Sequence, residues 1–169
     1  WKMLQYADAL LDGSKVLPKA DIYTIAYGIN DFAYGNLIGT LDDFKNKTGS
    51  ATYAGALRVI IDKIYEANED ALIFIMTPRK ACKFNDYLPD EWYEIHKGVY
   101  LTQYVDILKE CASWFSLPVI DIFSLSQANE ATLENLSYDV ALHPNQKGCD
   151  LMAALIINKF RECLPLYKG

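Results

Sequence analysis

Residues 71–77 read ALIFIMT, seven positions without a charge in which bulky aliphatic and aromatic side chains follow one another directly. A strand with one wet face alternates apolar and polar residues. A run apolar throughout is expected where both faces are covered, as in a parallel sheet flanked by helices. DIYTIAY at 21–27 and LPVIDI at 117–122 share this character. Between and around these runs, apolar residues recur at helical steps. Leu57, Ile60, Ile61 and Ile64 form one stripe over 53–68, and Leu101, Tyr104, Val105, Leu108 and Ala112 another over 99–115. Leu151, Ala154, Leu155 and Cys163 give a closing helix over 151–164, and residues 1–11 pattern as an opening helix that stops at Asp12-Gly13. Alternating strands and helices imply an α/β chain, with right-handed crossovers and a doubly wound parallel sheet. In such sheets the ligand lies outside the carboxyl ends of the strands. The chemistry is therefore expected just after Tyr27, after Thr77 and after Ile122.

A chain of 169 residues without repeats or linkers reads as one domain, residues 1–169. Sixteen basic residues against twenty-two acidic ones, a net charge of −6, argue against nucleic acid and against a polybasic membrane contact. No apolar run reaches the roughly 20 residues of a bilayer span, so no membrane insertion is expected. Cys82, Cys111, Cys149 and Cys163 are widely spaced without a C-x-x-C pair, and no metal site is expected. The last three fall among apolar residues on expected helices and read as buried free thiols.

Two loops carry candidate chemistry. GIND, residues 28–31, directly follows the first strand. Gly28 permits a tight turn and close ligand approach. The Asn30 amide can donate to an oxygen gaining charge, and Asp31 can accept backbone N–H bonds of the next segment. The same residues also suit a plain turn. The second loop is YDVALHPN, residues 138–145. Pro144 biases His143 toward an extended conformation, turning its ring out of the helix that follows. A neutral imidazole can take a proton from a hydroxyl, while a carboxylate such as Asp139 on its other nitrogen holds the tautomer. The plainer reading has Asn145 capping the last helix and His143 on the surface.

His96, the other histidine, reads as part of a solvated helix face. Arg79 and Lys80 read as solvated loop charges that could attract an anionic substrate. Phe84, Tyr87, Trp92 and Tyr93, in the segment after Thr77, suit either a packed lid or rings stacking on a sugar. Phosphate-binding glycine loops are absent.

A GxND turn after a buried strand, with a His-Pro-Asn loop opening the final helix, resembles the SGNH (GDSL-type) hydrolases. The strand ending at Thr77-Pro78 and PVID at 118–121 add to the likeness, which runs over essentially the whole chain. The resemblance implies a three-layer α/β/α, flavodoxin-like fold and a serine-type ester hydrolase without metal or organic cofactor. Its substrates would be small acyl esters, such as acetylated carbohydrates or lysolipid-like esters. By that likeness His143 is the general base, Asp139 its orienting acid and Asn30 an oxyanion donor, supported by Gly28 and Asp31. Arg79, Trp92 and Tyr93 would border the substrate.

Two departures stand out. Asp139 lies four residues before His143, where the family's usual spacing is three. The family's serine motif is also missing: Asp12-Gly13-Ser14 has its letters in another order and follows a helix, so Ser14 is not expected to be the nucleophile. The first strands and the serine are accordingly expected from a segment before Trp1 or from a second chain completing the sheet. Without such a strand, 21–27 would present an unpaired apolar edge. A catalytically silent carbohydrate-binding or interaction module is the alternative that takes the absent serine at face value.

Overall fold

A computed structural model describes residues 2–80, 99–129, 131–139 and 143–167. Phe84, Tyr87, Trp92, Tyr93, His96 and Cys82 lie outside the described residues. Three parallel strands, β1 (Ile22–Ile25), β2 (Leu72–Met76) and β3 (Val119–Ile120), stand side by side in that order. Ile22 pairs with Leu72 and Ile75 with Val119. The continuous apolar run of β2 is explained by what covers it. Ile73 and Ile75 enter the core shared with helices α1 (Met3–Leu11), α4 (Tyr53–Ala67) and α5 (Leu101–Trp114), whereas Phe74 enters a second core on the opposite face. There Phe74 meets Phe160 of α7 (Gln146–Cys163) edge to face at 4.7 Å. A three-layer α/β/α arrangement results, as the residue pattern predicts.

Element boundaries follow from capping. The Thr52 hydroxyl accepts the Gly55 N–H at 3.1 Å to start α4, and Asn68 ends it, donating its side-chain amide to Ala20 O at 2.8 Å. Asn145 starts α7 by accepting the Gly148 N–H at 3.1 Å, so this helix begins five residues earlier than its apolar stripe suggests. β3 is shorter than the expected 117–122. Asp121 accepts the Ser124 N–H at 3.1 Å and turns the chain into α6 (Ile122–Leu125). Two more short helices, α2 (Ile29–Ala33) and α3 (Leu41–Lys45), have too few residues to show a periodic stripe. Among the described residues β1 pairs with β2 alone, and Ile22 and Thr24 on it are exposed. No helix there is long and apolar enough to cross a membrane. Cys111 and Cys163 are buried free thiols as expected, but Cys149 is exposed, on the first turn of α7 ahead of its apolar stripe.

Gly148 lies where α7 comes closest to the preceding loop. A Cβ there would sit 2.4 Å from Leu136 O and 3.0 Å from Pro144 Cβ. In an open helix alanine is preferred over glycine, but here the overlap decides the sign. Gly148→Ala is expected to destabilise the protein by about 1–3 kcal/mol, seen as a lowered thermal midpoint. An alanine variant that melts higher would contradict the close approach.

Candidate active site

The carboxyl ends of all three strands open into one cleft of about 260 Å³. Ala26, Tyr27, Ile29 and Asn30 line it from the end of β1, Met76, Thr77, Pro78 and Arg79 from β2, and Ile122 from beyond β3. His143, Pro144 and Met152 close it from the α7 side. These are the three segments the sheet topology singles out.

The first wall is shaped by Gly28. Its φ of 131° lies in the region that favours glycine, and a Cβ would meet the Tyr53 hydroxyl at 2.9 Å. The backbone therefore turns from β1 into α2 at once, and Asn30 stands exposed on the first turn of α2 at the cleft. Asp31, fully buried, faces the other way. Its two carboxylate oxygens each accept the Met3 N–H at 2.9 Å, and one also accepts the Asn36 side-chain amide at 2.9 Å. The sequence reading assigns Asp31 to the segment that follows it. Instead it caps α1, far upstream, because the first N–H groups of that helix have no intrahelical partner and favour a carboxylate. The capping bond fixes the start of α1 against Asp31.

The second wall is tied to β3. The Thr77 hydroxyl donates to Asp121 at 3.2 Å and accepts the Phe123 N–H at 2.9 Å, while the Lys109 ammonium reaches Asp121 at 2.6 Å. Partial burial of Asp121 works to raise its pKa, but the bonds from Lys109 and Ser124 outweigh it and hold the carboxyl below its ordinary value. Asp121 is thus occupied structurally, as its place at a strand end suggests.

The third wall is the loop carrying His143. Its ends are joined by an antiparallel bridge between Ser137 and Pro144, by Tyr138 N–H to His143 O at 3.2 Å, and by Asn145 N–H to Leu136 O at 3.0 Å. Asp139 accepts the His143 backbone N–H at 2.7 Å and is hydrogen-bonded through its other oxygen to the ring Nδ1. The four-residue spacing is absorbed in this way: one carboxylate holds both the backbone and the ring of the same histidine. Tyr138 stacks on the His143 ring at 5.8 Å. The His143 side chain is 58% exposed and that of Asp139 34%, so their attraction is partly screened by water. With Nδ1 held by Asp139, Nε2 is the ring nitrogen left for proton transfer.

Arg79 departs from the sequence reading. It is not a solvated loop charge but a buried one, 8% exposed, whose Nη2 donates to Leu136 O at 3.2 Å and to the Ser137 hydroxyl at 3.0 Å. Burial pulls its pKa below the ordinary arginine value, opposed by nearby Cys149 and Asp139. Lys80 is half-buried with its ammonium over the Phe123 ring at 5.1 Å. The only sign of Arg79's position available beforehand is that it lies two residues past Thr77, at the rim of a central strand. Trp92 and Tyr93 lie outside the described residues. Ser14 lies after α1, its hydroxyl on Ala9 O at 3.4 Å, and no serine is among the described residues that line the cleft.

The sequence profile of the GDSL-like Lipase/Acylhydrolase family matches residues 3–151. No curated protein matches the chain. Solved structures share the fold. One is a possible lipase from Chitinophaga pinensis, 22% identical, covering 96% of this chain and 79% of its own at a TM-score of 0.75. The lipase/acylhydrolase from Enterococcus faecalis is 19% identical over 96% of this chain and 71% of its own, at 0.59. A carbohydrate esterase family 3 protein from Talaromyces cellulolyticus is 16% identical over 99% and 69%, at 0.61.

Proposed function

The chain belongs to the GDSL-like lipase/acylhydrolase family, and from that premise we propose that its cleft hydrolyses small acyl esters by a serine mechanism. The observation that carries the proposal is the shared cleft of Asn30 and His143, with His143 Nδ1 on Asp139. A serine hydroxyl delivered to this cleft attacks the acyl carbon and yields its proton to His143 Nε2. Asp139 stabilises the imidazolium that forms. Negative charge growing on the carbonyl oxygen is met by the Asn30 side-chain amide. The imidazolium then protonates the departing alcohol. Water, activated by the same nitrogen, releases the acid.

We assign the serine to a segment before Trp1. No serine is among the described residues that line the cleft, which supports this reading. A carbohydrate esterase among proteins of the same fold makes an acetylated sugar the first substrate to try.

The test is covalent capture. A fluorophosphonate should add one phosphonyl group to the intact protein, on a serine upstream of Trp1. Absence of labelling in a protein that is folded would favour the silent binding module. Asp139→Asn probes the mechanism further. Loss of the carboxylate is expected to reduce kcat about ten- to hundredfold, below the full general-base contribution of about 10²–10⁴ because the pair is half-solvated, with KM nearly unchanged. A kcat equal to wild type would remove Asp139 from the mechanism.

A further inference from the structure

Arg79 is a charged residue of the cleft that the ester-hydrolysis mechanism above does not use. It lines the same cleft as Asn30 and His143, yet its guanidinium is buried and has only neutral acceptors, Leu136 O and the Ser137 hydroxyl. No carboxylate lies within ion-pair distance of it among the described residues; Cys149 and Asp139 act on it only from a distance, and Asp139 is hydrogen-bonded to His143. Its Nη1 is buried and has no hydrogen-bond partner among the described residues, a condition shared there only by Ser126 Oγ. Buried charges in folded proteins are paired as a rule, since an uncompensated one keeps the desolvation penalty without an offsetting attraction. An unpaired guanidinium nitrogen is correspondingly rare and calls for a cause. The surrounding cleft is mostly apolar (Ala26, Ile29, Met76, Pro78, Ile122, Met152), which strengthens any interaction with that charge.

We propose that Arg79 is an anion subsite and that the substrate is an acyl ester whose acyl or alcohol half carries a carboxylate, to which Nη1 donates. A single guanidinium, with Lys80 turned onto Phe123, balances a monoanion better than a phosphate dianion. The geometry also explains why Nη2 is directed at Leu136 and Ser137. Those two bonds fix the plane of the guanidinium and leave Nη1 as its nitrogen without a partner among the described residues. The location of the subsite within a catalytic cleft rests on the ester-hydrolase reading, but its detection does not.

Binding of two unhydrolysable probes to the intact protein, followed by calorimetry, tests the proposal. Levulinate carries a ketone in place of the ester carbonyl and a carboxylate, and its amide is the neutral counterpart. Levulinate should bind about ten- to hundredfold tighter than levulinamide, the range of a charge-assisted hydrogen bond. Arg79→Gln should abolish that preference, whereas Lys80→Gln, which removes the same net charge next door, should keep it. Equal affinities for the two probes in the wild-type protein, or a preference surviving in folded Arg79→Gln, would overturn the assignment. Should Arg79→Gln fail to fold, the side-chain N–H resonances assigned to Arg79 in the wild-type protein decide instead. Those of Arg79 should shift with levulinate and stay put with levulinamide, and equal response to both refutes the subsite. Levulinate preference without hydrolysis of p-nitrophenyl acetate would sink the esterase reading alone. Hydrolysis without preference would sink the subsite alone.

Discussion

His143→Ala in the intact protein is expected to lower kcat for p-nitrophenyl acetate by about 10²–10⁴-fold, the range a positioned general base supplies, while KM changes little. The expectation follows from the loop geometry. The backbone on both sides of His143 is held by groups that do not involve its ring: the Ser137–Pro144 bridge, Asn145 N–H to Leu136 O at 3.0 Å and the Asn145 cap on α7. Removal of the imidazole therefore deletes the proton acceptor and leaves the cleft wall standing. With its side chain 58% exposed, His143 adds little to the core, and the thermal midpoint should move by no more than a surface substitution allows, about 0.5 kcal/mol. A variant with wild-type turnover would remove the histidine from the chemistry, and with it the proposed mechanism.

Asn30→Ala is the second large effect. An oxyanion donor is worth roughly 10²–10³ in turnover, because the bond strengthens only as charge develops on the oxygen. The loss should fall on kcat, with substrate affinity nearly unaltered. Asn30→Asp sharpens the test. It preserves size but turns an acceptor with a negative charge toward the same oxygen, so it should be at least as damaging as alanine. Asp31 and Gly28 hold the backbone of this turn through the Met3 cap and the positive φ, independently of the Asn30 side chain. Both variants should consequently fold. Equal rates for Asn30→Ala and the wild type would show that the oxyanion is held elsewhere.

Much of the frame was legible as pattern. The apolar run at 71–77 is what a strand buried on both faces requires, and it takes the centre of the three described strands, with Ile73 and Ile75 on one side and Phe74 on the other. The stripe at 53–68 became α4 almost to the residue, since Thr52 and Asn68 supply cap chemistry at both ends. Readings failed where a side chain bonded across a long sequence separation. Asp121 cut β3 short by capping α6 while also receiving Thr77 and Lys109. Asp31 turned back to α1, and Arg79 went inside because Leu136 and Ser137, more than fifty positions away, offered acceptors.

The chain's own letters thus determined the alternation of strands and helices, the strand ends at which chemistry gathers, and the identity of Asn30 and His143 as its candidates. Those features depend on periodicity and local backbone preference, which are properties of neighbouring residues. Tertiary structure alone decided that Asn30 and His143 share a cleft, that Asp139 reaches the histidine despite its offset, and that Arg79 is a buried charge with a nitrogen to spare. Each of these depends on which groups meet after the sheet has closed and water has been excluded, and burial changes the energetics of a charge far more than its place in the sequence can reveal.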